Sequence, residues 1–404
     1  MPQRTFPARP SLLKRINAGT ILARALQEGS VSRAQLARQV GISPPTVSAL
    51  IGELVKQGVL REAGPGTSAR GRKPVLLQVD PDGAAILVAS IRPAHFAAGV
   101  SDVAANLREL QSVEYSADSP PEQTIERLAT LLGYLAGEAK AQGRRLLGVG
   151  VSTPGLLRAN GDFVILSPNQ PRWHEVPLGH TLQERLGVPV FVDNDARAVA
   201  LAEMCYGEAK GYRHVVCVAV AEGIGTGLLI DGHIYSGKSG YAGELGHTIV
   251  DPDGRRCGCG KRGCWEAMAS EAALLEAVRA RLNRWATSET LPQAGDLTVE
   301  GILKAAESGD PVANAAVNEV AYYLGIGLAN VVNTFDPEGL VLWGRIFSYQ
   351  PLVQQVRNVL EKQAFSTSLE GLDVWVSAMG EEAMLKGAAA HVLRRTLLVS
   401  RLGG

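Results

Sequence analysis

The chain has 404 residues, 46% of them hydrophobic, five cysteines and a formal net charge of zero. It is too long for one ordinary domain and apolar enough for two or three packed units. It offers no run of about 18 apolar residues to cross a membrane, and residues 1–10 carry Arg4 and Arg9 without the apolar core of a secretory signal. A cytoplasmic protein without a membrane role is expected. The zero net charge hides a division. Residues 1–80 carry 12 Lys and Arg against 4 Asp and Glu, and the rest of the chain 28 against 36. A basic head on an acidic body is the footprint of a protein whose head alone meets a polyanion.

The head reads as capped helices followed by a loop between strands. Leu12, Ile16, Ile21, Leu22 and Leu26 recur at helical spacing up to Gly29, a common stop. Ser32 with Gln35 three residues on forms a capping box, flanked by a Val31–Leu36 staple, and Gly41 closes that helix. Ser43 then caps a third helix with Pro44 at its first position, where a missing N–H costs nothing. Val47, Leu50, Ile51 and Leu54 form its inward stripe, which leaves Ser43, Pro45, Thr46 and Ser48 on the outer face. Small polar side chains at the start of a second helix after a tight turn suit reading of the major groove. Two strand-like runs, 59–62 and 75–79, flank a loop with Arg70, Arg72 and Lys73, a wing suited to phosphates or a minor groove. The expectation is a winged helix-turn-helix over residues 1–80, contacting double-stranded DNA, and a separate α/β body over 81–404.

In the body, short apolar runs over 84–115 predict a β-meander, and a helix is expected from about Pro121 to Gln142. LLGVGVSTPG reads as a buried strand ending in a glycine loop. After a helical Leu182–Leu186, VPVFVDND places Asp193, Asn194 and Asp195 at a strand's C-terminal edge, where α/β sheets bind ligands. Asp193 reads equally well as a turn residue. A helix over 196–206 follows, and a second α/β unit opens at His214, so two lobes around a cleft are expected.

The sharpest motif is EXGH followed by CXCGXXGCXE: Glu244 and His247, then Cys257, Cys259, Cys264 and Glu266. Three thiolates and an imidazole complete a tetrahedral Zn²⁺ set with no open position, so the zinc is expected to be structural. Cys205 and Cys217 sit in apolar runs and read as core residues.

With the head, VDNDARAVALAE, GIGTGLLIDG, GELGH and the cysteine cluster all present, the chain resembles the ROK-family repressors over nearly its whole length. The resemblance implies a two-lobed, actin-like (ribonuclease-H-like) body. It also implies a hexose-like ligand held by Asn194, Asp195, Glu244, His247 and Glu266, with a backbone contact from Gly155. The chemistry agrees, because carboxylates accept hydroxyl hydrogen bonds and Asn both donates and accepts. His247 can bind metal through one ring nitrogen and donate from the other.

The same scaffold serves ATP-dependent sugar kinases, the rival reading, in which the residue at Asp195 acts as base. Phosphoryl transfer needs phosphate cradles. Where the kinases carry a DXGGT-type loop, this chain has Ser90-Ile91-Arg92-Pro93-Ala94, and Pro93 has no N–H to offer. In the second cradle Glu222 would stand beside the phosphates, and Trp343-Gly344-Arg345 replaces a Gly-Gly pair on the adenine side. The expectation is therefore a non-enzymatic regulator: a homodimer or dimer of dimers on a palindromic operator, released by a monosaccharide effector.

Overall fold

Two serines set the geometry of the head. In the computed structural model, which describes residues 10–66, 73–158, 161–168, 170–284, 288, 290–292 and 296–397, helix α1 (Pro10–Glu28) leads through a two-residue strand β1 (Val31–Ser32) into α2 (Arg33–Val40). Ser32 and Gln35 form the expected capping box, and Gly41 ends α2 in the left-handed conformation. Helix α3 (Pro44–Lys56) starts on Ser43, whose side chain accepts from the Thr46 amide. Strands β2 (Leu60–Pro65) and β3 (Val75–Val79) complete a small antiparallel sheet of order β1-β3-β2. Arg70 and Arg72 lie outside the described residues.

The first lobe opens with an antiparallel meander, β4 (Ala84–Ile91), β5 (His95–Ser101) and β6 (Leu107–Glu114), followed by α4 (Pro121–Ala141) and β7 (Arg145–Thr153). A small three-stranded sheet of β8 (Leu156–Leu157), β9 (Val164–Leu166) and β10 (His174–Val176) leads to α5 (Leu178–Leu186) and β11 (Val190–Asn194). The main sheet has the order β11-β7-β4-β5-β6, with β11 and β4 parallel to β7. Helix α6 (Asp195–Tyr206) follows β11 directly.

The second lobe repeats the plan with β12 (Val215–Val220), β13 (Ile224–Ile230) and β14 (His233–Ile234), then the cysteine loop and helices α7 (Trp265–Ala269), α8 (Glu271–Arg284), α9 (Val299–Glu307) and α10 (Pro311–Phe335). Strand β15 (Gly339–Trp343), α11 (Gln350–Gln363) and β16 (Asp373–Val376) give the order β14-β13-β12-β15-β16. Helix α10 is long and apolar enough to cross a membrane, but most of its apolar window is buried in this lobe's core. The last helix, α12 (Glu382–Thr396), returns to pack on α6, β7 and β4.

The apolar core of the head is continuous with that of the first lobe. Ile21, Leu22, Ile51 and Leu77 share one buried apolar cluster with Ile86 and Val88 of β4 and with Val392 and Leu393 of α12. The apolar core of the head thus runs on without a break into that of β4 and α12.

Candidate functional site

Gly155 follows β7 at φ +96°, and a Cβ there would lie 2.4 Å from the Leu166 carbonyl oxygen, so the tight loop requires glycine. Its carbonyl accepts from Asn194 Nδ2 at 3.2 Å. Asn194 Oδ1 accepts from the amides of Ala196 and Arg197 at 3.0 and 3.3 Å, which caps α6. Both ends of this amide thus hold the loop and helix together, leaving one N–H on Nδ2 for anything else. Asp195 is the first residue of α6, where the helix dipole favours a carboxylate. Burial nonetheless pushes its carboxyl up from the ordinary value, opposed chiefly by the positive charge of Arg92.

From the second lobe come Glu244, His247 and Glu266. Glu244 is raised by burial, with His247 opposing the shift. His247 divides its two ring nitrogens: Nδ1 lies 3.6 Å from Cys257 Sγ, and Nε2 lies 4.0 Å from Glu244 Oε2. Glu266, in the first turn of α7, accepts from the Ile224 amide at 3.1 Å and faces Cys257 Sγ at 3.7 Å. Gly155, Asn194, Asp195, Glu244, His247 and Glu266 all line one cleft between the lobes, of about 880 Å³ with its open mouth included.

Behind this wall His247, Cys257, Cys259 and Cys264 place one ligand atom each, all within 4.8 Å of one another, so the four could hold a metal ion. Cys259 and Cys264 approach to 3.6 Å between sulfurs. The loop folds this tightly through Gly263 (φ +66°), where a Cβ would collide with the Asp251 carbonyl oxygen. Arg255 ties the loop to Glu319 of α10, and Tyr323 donates to Asp251 Oδ2 at 2.8 Å. Cys217 is buried and Cys205 largely covered, as expected of core residues.

Several neighbours carried no motif. Asp193, read as a possible turn residue, lies instead between Arg197 Nε at 2.6 Å and His391 Nδ1 at 3.1 Å. Asp193 lies in β11 just before the N-cap of α6, so its pairing with Arg197 across the helix start was no more legible in the sequence than its contact with His391. Arg92 and Glu222, from the two segments that differ from kinase cradles, meet at 2.7 Å. Arg345 binds Glu271 and Glu300 at 3.1 and 3.0 Å. Burial raises the Glu271 carboxyl to about 7, although Arg345 draws it down.

On the head, Ser43, Pro45, Thr46 and Ser48 are exposed while Val47, Leu50, Ile51 and Leu54 are buried, and Lys73 is exposed at the start of β3's approach. One face of α3 and the foot of the wing are thus open to solvent.

Comparison with known proteins follows the same division. A winged helix-turn-helix DNA-binding family matches residues 17–61, and the ROK family matches 94–395. A xylose repressor of Caldicellulosiruptor bescii is 31% identical over 95% of this chain and 96% of its own length. A glucokinase of Streptomyces coelicolor is 33% identical, but over 72% of this chain and 92% of its own. A solved ROK family transcriptional regulator, a homologue of the E. coli Mlc protein, superposes with a TM-score of 0.82 at 27% identity, over 94% of this chain and 96% of that one. The kinase relative matches a smaller share of this chain than the regulators do, and the chain belongs to the ROK family.

Proposed function

We propose that this chain is a DNA-binding transcriptional repressor of carbohydrate genes whose body senses a monosaccharide. The head, residues 1–80, meets the operator through Ser43, Pro45, Thr46 and Ser48 of α3 and through Arg70, Arg72 and Lys73 of the wing. The body, residues 81–404, holds the sugar with Asn194, Asp195, Glu244, His247, Glu266 and the Gly155 backbone. One observation carries the reading: these six residues, scattered from 155 to 266, line a single cleft shared by both lobes. Gly155, Asn194 and Asp195 come from the first lobe, and Glu244, His247 and Glu266 from the second. A polyol bridging them would draw the lobes together. The full-length likeness to a xylose repressor makes pentoses and hexoses the class to test first.

Zinc fits the cysteine cluster. A tetrahedral site with Zn–S of about 2.3 Å has sulfur–sulfur edges of about 3.8 Å, close to the 3.6 Å between Cys259 and Cys264. His247, Cys257, Cys259 and Cys264 would hold the ion and thereby orient His247 and Glu266 toward the cleft. The ion is structural in this reading, with every position filled by protein.

A change of lobe angle has a route to the head. Helix α12 carries Met384 of its first turn on the cleft wall, and from Leu385 to Leu393 it belongs to the apolar cluster that includes Leu22 and Ile51. The ligand shifts DNA affinity only by its differential affinity for the two arrangements. We place the protein in the cytoplasm as a dimer, or dimer of dimers, on a palindromic operator.

The test combines three measurements on the full chain. A thermal-shift screen with D-xylose, D-glucose and N-acetylglucosamine should show one stabilising sugar. That sugar should release the chain from a DNA fragment carrying its operator. A coupled assay with ATP should show no phosphorylation of any of the three, and robust turnover would favour the kinase reading instead.

A further inference from the structure

An ion pair joins the lobes at the cleft. Arg92 stands in the turn between β4 and β5, and Glu222 in the turn between β12 and β13, 130 residues away. Nη2 and Oε2 are 2.7 Å apart, with the arginine side chain 9% exposed and the glutamate 40%. The Arg92 backbone is fixed to the first lobe: its amide donates to the His95 carbonyl at 2.8 Å, and its carbonyl accepts from Tyr115 and Gln170. Its side chain points the other way. The guanidinium lies 5.9 Å from the Trp343 ring of the second lobe, and Nη1 is 3.8 Å from Met384 Sδ on α12. Glu222 is held by a turn in which Ala221 N donates to the Gly223 carbonyl at 2.9 Å. Both residues line the same cleft as Asn194, Asp195, Glu244 and Glu266.

Two consequences follow from elementary electrostatics. Attraction across 2.7 Å opposes parting of the lobes, and a nearly buried guanidinium left without its carboxylate is costly. The pair thus favours the closed arrangement without any ligand. Its second effect is on selectivity. Arg92 is a cation that an anionic ligand could recruit, but Glu222 already neutralises it, and Pro93 offers no amide in compensation. The remaining wall sets Asp195, Glu244 and Glu266 against His247 and an Arg197 already paired with Asp193, so it offers an anion little uncompensated positive charge.

We infer that Arg92 and Glu222 form an interlobe clasp that positions the two halves of the sugar site and restricts the cleft to neutral sugars. The inference deepens the sugar-sensor reading and rests on it. Arg92 is a positioning and specificity residue in this scheme, and α12, in contact with it through Met384, is the element that feels the clasp close.

The experiment uses the full chain, its E222Q and R92M variants and the charge-swapped R92E/E222R double variant, each checked for an unchanged circular dichroism spectrum. Calorimetry measures binding of whichever of D-xylose, D-glucose and N-acetylglucosamine the wild type binds, with and without inorganic phosphate. E222Q should weaken neutral-sugar binding about tenfold or more and make it sensitive to phosphate, because Arg92 is left available. R92M should weaken sugar binding without gaining phosphate sensitivity, and the double variant should recover much of the lost affinity. A merely structural pair would not change the response to phosphate. Wild-type affinity and phosphate indifference in a folded E222Q would overturn the clasp. Should the wild type bind none of the three sugars, the sensor reading fails, and small-angle scattering then judges the clasp alone. E222Q should enlarge the radius of gyration and the charge swap restore it, whereas an unchanged radius in E222Q ends the proposal.

Discussion

His391 of α12 places Nδ1 3.1 Å from Asp193 Oδ2, while Arg197 Nε holds the other carboxylate oxygen at 2.6 Å. Asp193 is thereby clamped between the last helix and α6, directly before the Asn194-Asp195 pair on the cleft wall. Burial alone would raise its carboxyl, but Arg197 and His391 outweigh burial and hold it well below its ordinary value of 3.8. An acid depressed in this way contributes stability that is present above its ordinary value and lost as pH falls below it.

Asp193→Asn should therefore destabilise the chain near neutral pH, by about 3–5 kcal/mol, because a buried Arg197 is left without its carboxylate. The gap in melting temperature between wild type and variant should narrow as pH drops below about 4. Calorimetric scans of both proteins from neutral pH downward check this. A gap that stays constant across that range would mean that the ionised carboxylate is not what holds the clamp.

The wing should carry phosphate contacts. Arg70→Ala with Arg72→Ala should weaken operator binding and reduce the slope of log K against log salt by about 1–2. Gel-shift titrations at several salt concentrations measure the slope. Identical binding at every concentration would remove the wing from the interface and leave α3 to act alone.

Purified protein should contain about one zinc per chain. Cys259→Ser is the variant of choice, since Cys259 is the exposed member of the cluster and its loss leaves the core intact. Elemental analysis should find the zinc gone. Sugar binding should weaken with it, because His247 and Glu266 lose the frame that orients them. Full zinc content in this variant would show that the ligand set is misassigned.

Asp195 should be required for the response to sugar and dispensable for DNA binding. Asp195→Asn keeps size and some hydrogen bonding but removes a charged acceptor, a loss of roughly 1.5–3 kcal/mol, or about tenfold to a hundredfold in sugar affinity. The exposed face of α3 is untouched, so the variant should hold its operator and resist the inducer. Calorimetry and gel shift separate the two. Normal sugar binding by this variant would remove Asp195 from the site, and loss of operator binding without sugar would show that the carboxylate supports the fold.

What the sequence determined by itself is local or densely encoded. The capping box of Ser32 and Gln35, the Ser43-Pro44 start of α3 and its buried stripe follow from hydrogen bonding and helical periodicity over a few residues. Three cysteines within eight positions, with a histidine ten residues upstream, point to a metal site, and their four ligand atoms do gather within 4.8 Å of one another. The DND segment reads as a candidate binding edge because α/β sheets bind ligands at strand ends, and Asn194 and Asp195 do line the cleft. Tertiary structure alone decided the rest. Asp193 became a clamp when His391, 198 positions away, came to face it. Arg92 and Glu222 read singly as departures from a phosphate cradle, and only the meeting of two lobes makes them a pair. The continuity of the head's apolar core with that of β4 and α12 could not be read from its length and charge. The physical reason is common to all three: a side chain's charge or apolar surface is written in the sequence, but the partner that neutralises or covers it is chosen by folding, which brings distant segments into contact where burial makes the choice matter.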